Sequence, residues 1–144
     1  MQTITPDFLR TLSLRDDFPS TAKELIHVLG LEASAQLISV WGGQIWPVPM
    51  SIGGGNKAGR YRYQRMVDTM GEISARRMVD KFGGTRFGIP NLKMVICSHI
   101  KEQIRRDFDV LTTQGGLSSP SAVFELGIKH GMSGRTIEKT LKTL

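Results

Sequence analysis

The chain has 144 residues and a mass of 16.0 kDa, room for one compact domain or two small modules and not for a multidomain enzyme. Apolar residues make up 40% and charged residues 22%, a globular composition and not a disordered one, and the net charge is +6. That charge is uneven, with three bases and five acids in residues 1–49 against sixteen bases and eight acids in residues 50–144, which suits nucleic acid or another polyanion and equally a merely solvated surface.

In chain order, residues 1–20 mix acids and bases without a continuous apolar core and read as an N-terminal arm. They do not have the form of a signal peptide, and nowhere do eighteen apolar residues run together, so no membrane span is expected. Residues 21–93 contain a duplication. Setting 28–49 against 69–90, a constant offset of 41, matches Gly30 with Gly71, Gly42 and Gly43 with Gly83 and Gly84, and Pro49 with Pro90. Leu37/Met78, Ile38/Val79, Trp41/Phe82, Trp46/Phe87 and Val48/Ile89 pair by type.

Each copy reads as helix, double glycine, strand. Ala33, Leu37, Ile38 and Trp41 fall at helical spacing, as do Ala75, Met78, Val79 and Phe82. The first glycine is expected to end the helix in a left-handed conformation and the second to free the chain to reverse. Trp46 and Val48, or Phe87 and Ile89, then share one face of a strand that proline stops. The other face holds Ile45 and Pro47 in the first copy but Arg86 and Gly88 in the second, so the copies share a core side and differ outward. Whether they pair within one chain or between chains is open at this level. GG-strand-Pro is also readable as no more than a fold device.

Between the copies, SIGGGNKAGRYRYQR has the Gly54-to-Gly59 spacing of a phosphate-binding loop but lacks the Lys and Ser/Thr that hold phosphate and magnesium. A flexible connector over Gly53–Gly59 is the better reading. Arg60, Arg62 and Arg65, interleaved with Tyr61 and Tyr63, fit a nucleic-acid contact or an ordinary solvated helix start.

Residues 94–144 form the last region. NLKMVICSHIKEQIRRDF reads as a basic amphipathic helix, with Cys97, the only cysteine, as a buried inert thiol that favours a reducing compartment. The three histidines lack metal-ligand spacing and the carboxylates are not grouped as acid/base pairs, so no catalytic residue, cofactor or metal is expected, and the chain reads as a non-enzyme. In VFELGIKHGMSGRTIEKTLKTL, a helix starting at Ser119 or Ser121 with Pro120 in its first turn ends at Gly131, and Ser133 caps a second helix from Gly134 to about Thr143. Small Gly127, turn-making Gly131 and apolar Met132 and Ile137 have the spacing of a helix-turn-helix. The outer face of the second helix shows Arg135, Thr136, Lys139 and Lys142, opposed only by Glu138, which suits a major-groove edge and its phosphates.

A helix ending in GG, the phrase FGGTRFGIP, a basic amphipathic helix and a terminal helix-turn-helix together resemble the Mor transcription activator family, regulators of middle-operon and late genes in Mu-like bacteriophages. The resemblance covers about residues 69–144. It implies a homodimer whose GG-strand region lies in the dimerisation half, adjacent major grooves read by the terminal unit, and recruitment of the host RNA polymerase. It further implies that Arg86 lies against the intervening minor groove and that Ser133, Arg135, Thr136, Lys139 and Lys142 belong to the recognition helix. The family usually has an aromatic residue where Gly88 stands and a compact turn where this chain runs through residues 109–121.

The expectation is therefore a mainly α protein with short β-strands: a duplicated helix-GG-strand dimerisation region followed by a C-terminal helix-turn-helix. Its expected function is sequence-specific binding of double-stranded DNA in a bacterial cytoplasm as an activator of phage or prophage type. A repressor or architectural protein is the nearest alternative, and a protein-interaction or virion component is the alternative from a different class.

Overall fold

The computed structural model describes residues 3–142, which form seven helices and a two-stranded antiparallel sheet. In chain order these are α1 (Pro6–Ser13), α2 (Ser20–Trp41), β1 (Ile45–Pro47), α3 (Lys57–Met70), α4 (Glu72–Phe82), β2 (Arg86–Gly88), α5 (Lys93–Thr113), α6 (Ser119–His130) and α7 (Gly134–Lys142). The mainly α class with short strands is as expected. The chain divides into two compact units, Met1–Lys93 and Met94–Leu144. Among the described residues no helix is long and apolar enough to cross a membrane.

Within the N-terminal arm, residues 6–13 form a helix docked on the first unit. Thr5 accepts from the Phe8 amide to cap α1, and Leu9 and Leu12 are completely buried. The Ile4 amide donates to Ser39 Oγ of α2 at 2.8 Å, tying the N-terminal segment down.

The duplication is plain in the backbone. Gly30 kinks α2 at φ 85° and ψ 171°, and Gly71 separates α3 from α4 at φ 89° and ψ 163°, a region open essentially only to glycine. Gly42 and Gly83 have φ of −53° and −52°, while Gly43 and Gly84 have φ of +88° and +81°. The left-handed residue is thus the second glycine of each pair, not the first as the helix-ending argument expects. The first glycine is small for another reason. A Cβ on Gly83 would lie 2.5 Å from the Val79 carbonyl oxygen and 3.2 Å from those of Pro49 and Met50; on Gly42 it would lie 2.5 Å from the Ile38 oxygen and 3.3 Å from that of Pro90. Each copy's glycine therefore abuts the end of the other copy's strand.

The two copies pair with each other inside one chain. β1 and β2 run antiparallel with Ile45 opposite Gly88, Trp46 opposite Phe87 and Pro47 opposite Arg86. The flanking hydrogen bonds repeat under exchange of the copies: Gly43 N to Ile89 O at 2.7 Å and Gly84 N to Val48 O at 3.0 Å, Val48 N to Thr85 O and Ile89 N to Gln44 O both at 2.9 Å. The pairing that the family resemblance assigns to a dimerisation domain is made here by one chain.

Leu25 of α2 and Met66 of α3, equivalent under the offset of 41, are both fully buried, as are Leu37 and Met78. Each such side chain stabilises the fold by about 1.5–3 kcal/mol. Tyr63 is buried and donates to Glu72 Oε1 at 3.0 Å, and Glu72 also accepts from Arg76 at 2.9 Å, so one carboxylate bridges α3 and α4 across the Gly71 break. Burial, and then the hydrogen bond to Glu72, push the Tyr63 phenol above its ordinary value.

The segment before α3 is not a flexible connector. Asn56 caps α3 by accepting from the Gly59 amide at 2.7 Å, and a Cβ at Gly54 or Gly59 would collide with the backbone of the other. Arg60 donates to the Gly55 carbonyl at 3.1 Å, and Arg65 of α3 lies over the Trp41 ring at the end of α2 at 5.7 Å, so two of the interleaved arginines serve this unit's own structure.

Candidate nucleic-acid interface

The second unit is built from three helices around one small core. Ile104 of α5, Val123 and Leu126 of α6 and Ile137 of α7 are buried together, with Ile100, Phe108, Leu111, Met132 and Leu141 packed around them. α5 continues to Thr113, past the Phe108 at which the amphipathic reading stops, so only Gln114 to Ser118 remain as a connection to α6. Cys97 is exposed on α5, not buried: Val95 and Ile96 take the inward positions and a helix turns the next residue outward.

Ser118 caps α6, accepting from the Ser121 amide at 3.3 Å, and Pro120 sits in the first turn. Gly131 ends α6 in the left-handed conformation, φ 63° and ψ 36°, and the Met132 amide returns to the Gly127 carbonyl at 2.9 Å. A Cβ on Gly127 would stand 2.9 Å from the Met132 carbonyl oxygen, so a glycine is needed for the turn to close against α6. The turn of Gly131–Ser133 then leads directly into α7.

α7 separates its inner and outer faces. Ile137 and Thr140 are buried, and Leu141 is half-buried beside them. Arg135, Lys139 and Lys142 are exposed, and at about 100° per residue they share an arc of about 60° centred opposite Ile137. Glu138 borders that arc and is the single acid on the helix. Ser133 and Thr136 are exposed as well, but their hydroxyls are engaged with each other at 3.0 Å while Ser133 Oγ accepts from the Thr136 amide at 3.2 Å. They hold the start of α7 and place Arg135 in its first turn. Arg86 is exposed at the start of β2 and belongs to the first unit.

Two further cationic contacts brace the second unit. Arg105 Nη2 donates to the Thr140 carbonyl at 3.4 Å, meeting the C-terminal end of α7 with a positive charge, and Lys129 Nζ pairs with Asp107 at 2.7 Å. Both link residues more than twenty positions apart, and no local pattern points to them. Comparison with known protein families, curated proteins and solved structures yields no match. Geometry and charge alone therefore bear on what the unit does. Among the described residues no three His, Cys, Asp or Glu side chains are grouped as metal ligands would be.

α6 also presents an apolar face. Phe124 and Ile128 are 64% and 65% exposed, beside an open groove of about 390 Å³ that Pro120, Gly127 and Met132 help to line.

Proposed function

We propose that the α5–α6–α7 unit is a helix-turn-helix that reads double-stranded DNA with α7, and that the chain is a transcription regulator of phage or prophage type, related to the Mor activators. The observation that carries this reading is the exposed cationic arc of α7, set by Ile137 and Thr140 to face away from the core at the end of a glycine-closed turn. Arg135 supplies a guanidinium able to grip a guanine edge, and Lys139 and Lys142 supply charge for phosphates. Ser133 and Thr136 shape the helix start beside them, and Arg86 is assigned to a minor-groove contact by the family resemblance. Activation through the host RNA polymerase, in the bacterial cytoplasm, is the regulatory mode that resemblance favours.

Fluorescence anisotropy with labelled duplexes at two salt concentrations tests the proposal. Counterion release makes DNA affinity fall steeply with salt, and substitution of the α7 cations lowers both the affinity and the slope. Affinity that ignores salt and the α7 cations defeats it. A run-off transcription assay separates activator from repressor.

The apolar face around Phe124 and Ile128 favours a second reading, in which the terminal helices dock on a protein partner. Phe124→Ser that leaves DNA binding intact but abolishes regulation assigns that face to a protein contact.

A further inference from the structure

The first unit is a two-fold-like pair made by one chain, alike inside and unlike outside. Inside, the glycine conformations, the cross-strand hydrogen bonds and the aromatic pairs Trp41–Trp46 and Phe82–Phe87 repeat under exchange of the copies. Outside, Pro47 stands where the exchange requires the counterpart of Gly88, and Ile45 where it requires that of Arg86. Two chains pairing through identical strands would show Arg86 twice across a dyad. This ribbon shows it once.

The connections break the symmetry in the same way. After Pro90 the chain enters α5 and the unit that carries α7, whereas after Pro49 it turns through Gly53–Gly55 and Asn56 into α3, the first helix of the second copy. Two repeats therefore lead into one α5–α6–α7 unit. Symmetric dimers read palindromes because the symmetry of the protein is imposed on its site, with half-sites a helical turn apart. Where one chain completes the pairing by itself, no second copy is required at the ribbon, and nothing imposes a dyad on the DNA.

We infer that this chain recognises DNA as a single asymmetric unit, its target a duplex site without dyad symmetry contacted by one α7, in place of two inverted half-sites bridged by a homodimer. The inference rests on the DNA-reading function proposed above.

The experiment is selection by the full chain from duplexes with a random core of about 30 base pairs, roughly three helical turns. Bound duplexes are sequenced, and the mass of the complex is measured by light scattering. The expected result is a non-palindromic motif occupied by one chain. Adding an inverted second copy of that motif should change affinity by no more than about twofold, against the roughly hundredfold or larger gain that two linked heads give. A palindromic motif occupied by two chains overturns the inference and leaves the DNA-reading function standing. No enrichment of any sequence, together with retention that does not depend on salt, removes both.

Discussion

Trp46 stands directly opposite Phe87 in the ribbon, and each packs on the aromatic that closes its own copy's helix, Trp46 on Trp41 at a centroid distance of 4.3 Å and Phe87 on Phe82 at 4.5 Å. Each ring pair backs its own copy's three-residue strand against the helix before it, while α2 of the first copy packs directly on α3 and α4 of the second. Phe87→Ala should therefore cost about 3–5 kcal/mol, as truncation of a buried aromatic does, and Phe87→Leu distinctly less. Urea denaturation followed by circular dichroism measures both. A loss below about 0.5 kcal/mol for Phe87→Ala, the range of ordinary surface changes, would mean that the Phe82–Phe87 pair does not help to hold this unit together.

The three glycines of the second copy's strand region should respond differently to alanine. At Gly84 the positive φ makes any side chain strained, at about 1–2 kcal/mol. At Gly83 the φ is ordinary, but the new Cβ meets the Val79 carbonyl oxygen at 2.5 Å and two further backbone oxygens at 3.2 Å, so either the helix end or the partner strand has to move. Gly83→Val should be worse still. Gly88 has open space around its Cβ position, so Gly88→Ala should be close to neutral, as should Lys57→Ala. Thermal melts of these variants give the order, and a Gly83→Ala melt equal to that of Gly88→Ala would reject the close-approach argument.

Tyr63 should contribute to a loss of stability in alkali. Its phenol is raised by burial and by Glu72, so the folded state holds the proton more tightly than the unfolded chain. The stability this contributes is fully present below the ordinary tyrosine value of about 10 and is lost as pH rises through the higher folded value. Tyr63→Phe should flatten the decline of stability above pH 10. At neutral pH it should cost about 0.5–1.5 kcal/mol for the hydrogen bond to Glu72. Denaturant midpoints from pH 7 to 11 report both effects, and identical alkaline slopes in the two proteins would show that this phenol does not contribute to that loss.

Much of this fold was legible because its determinants are local. The glycine and proline spacings specify the repeat, and Pro120, Gly131 and the Ser133 cap specify the α6–α7 turn. What was not legible depends on distant partners. The docking of residues 4–13 on α2 depends on Ser39 and on a surface of the first copy, and an amphipathic stretch of eight residues does not announce that by itself. The close approach of the first glycine of each pair to the opposing strand end at Pro49 or Pro90 comes from the pairing of the copies and not from the local spelling. Pairing within the chain and pairing between chains use the same residues, so sequence pattern is silent on the choice. In the candidate site, the outward position of Arg135, Lys139 and Lys142 followed from helical periodicity, whereas the Arg105 contact with Thr140, 35 residues away, has no local signature.

Arg135 and Lys142 should separate base reading from phosphate attraction. Arg135 is the second residue of α7, exposed, next to a start fixed by the Ser133 and Thr136 hydroxyls, where a side chain enters a groove with its direction set. Lys142 lies seven residues on, about two turns away, and a long flexible ammonium there suits phosphate. Arg135→Ala should cost about 1–3 kcal/mol on the selected motif and relax preference at one base pair, with little effect on scrambled duplex. Lys142→Ala should weaken both duplexes alike and lower the slope of log affinity against log salt by about one. Neither change should alter the melting temperature, because both side chains are outside the Ile104–Leu126–Ile137 core. Titration of wild type and both variants on the two duplexes at two salt concentrations decides the assignment. If Arg135→Ala binds both duplexes as wild type does, α7 is not the reading helix, and the exposed Phe124–Ile128 face of α6 becomes the surface through which this unit acts.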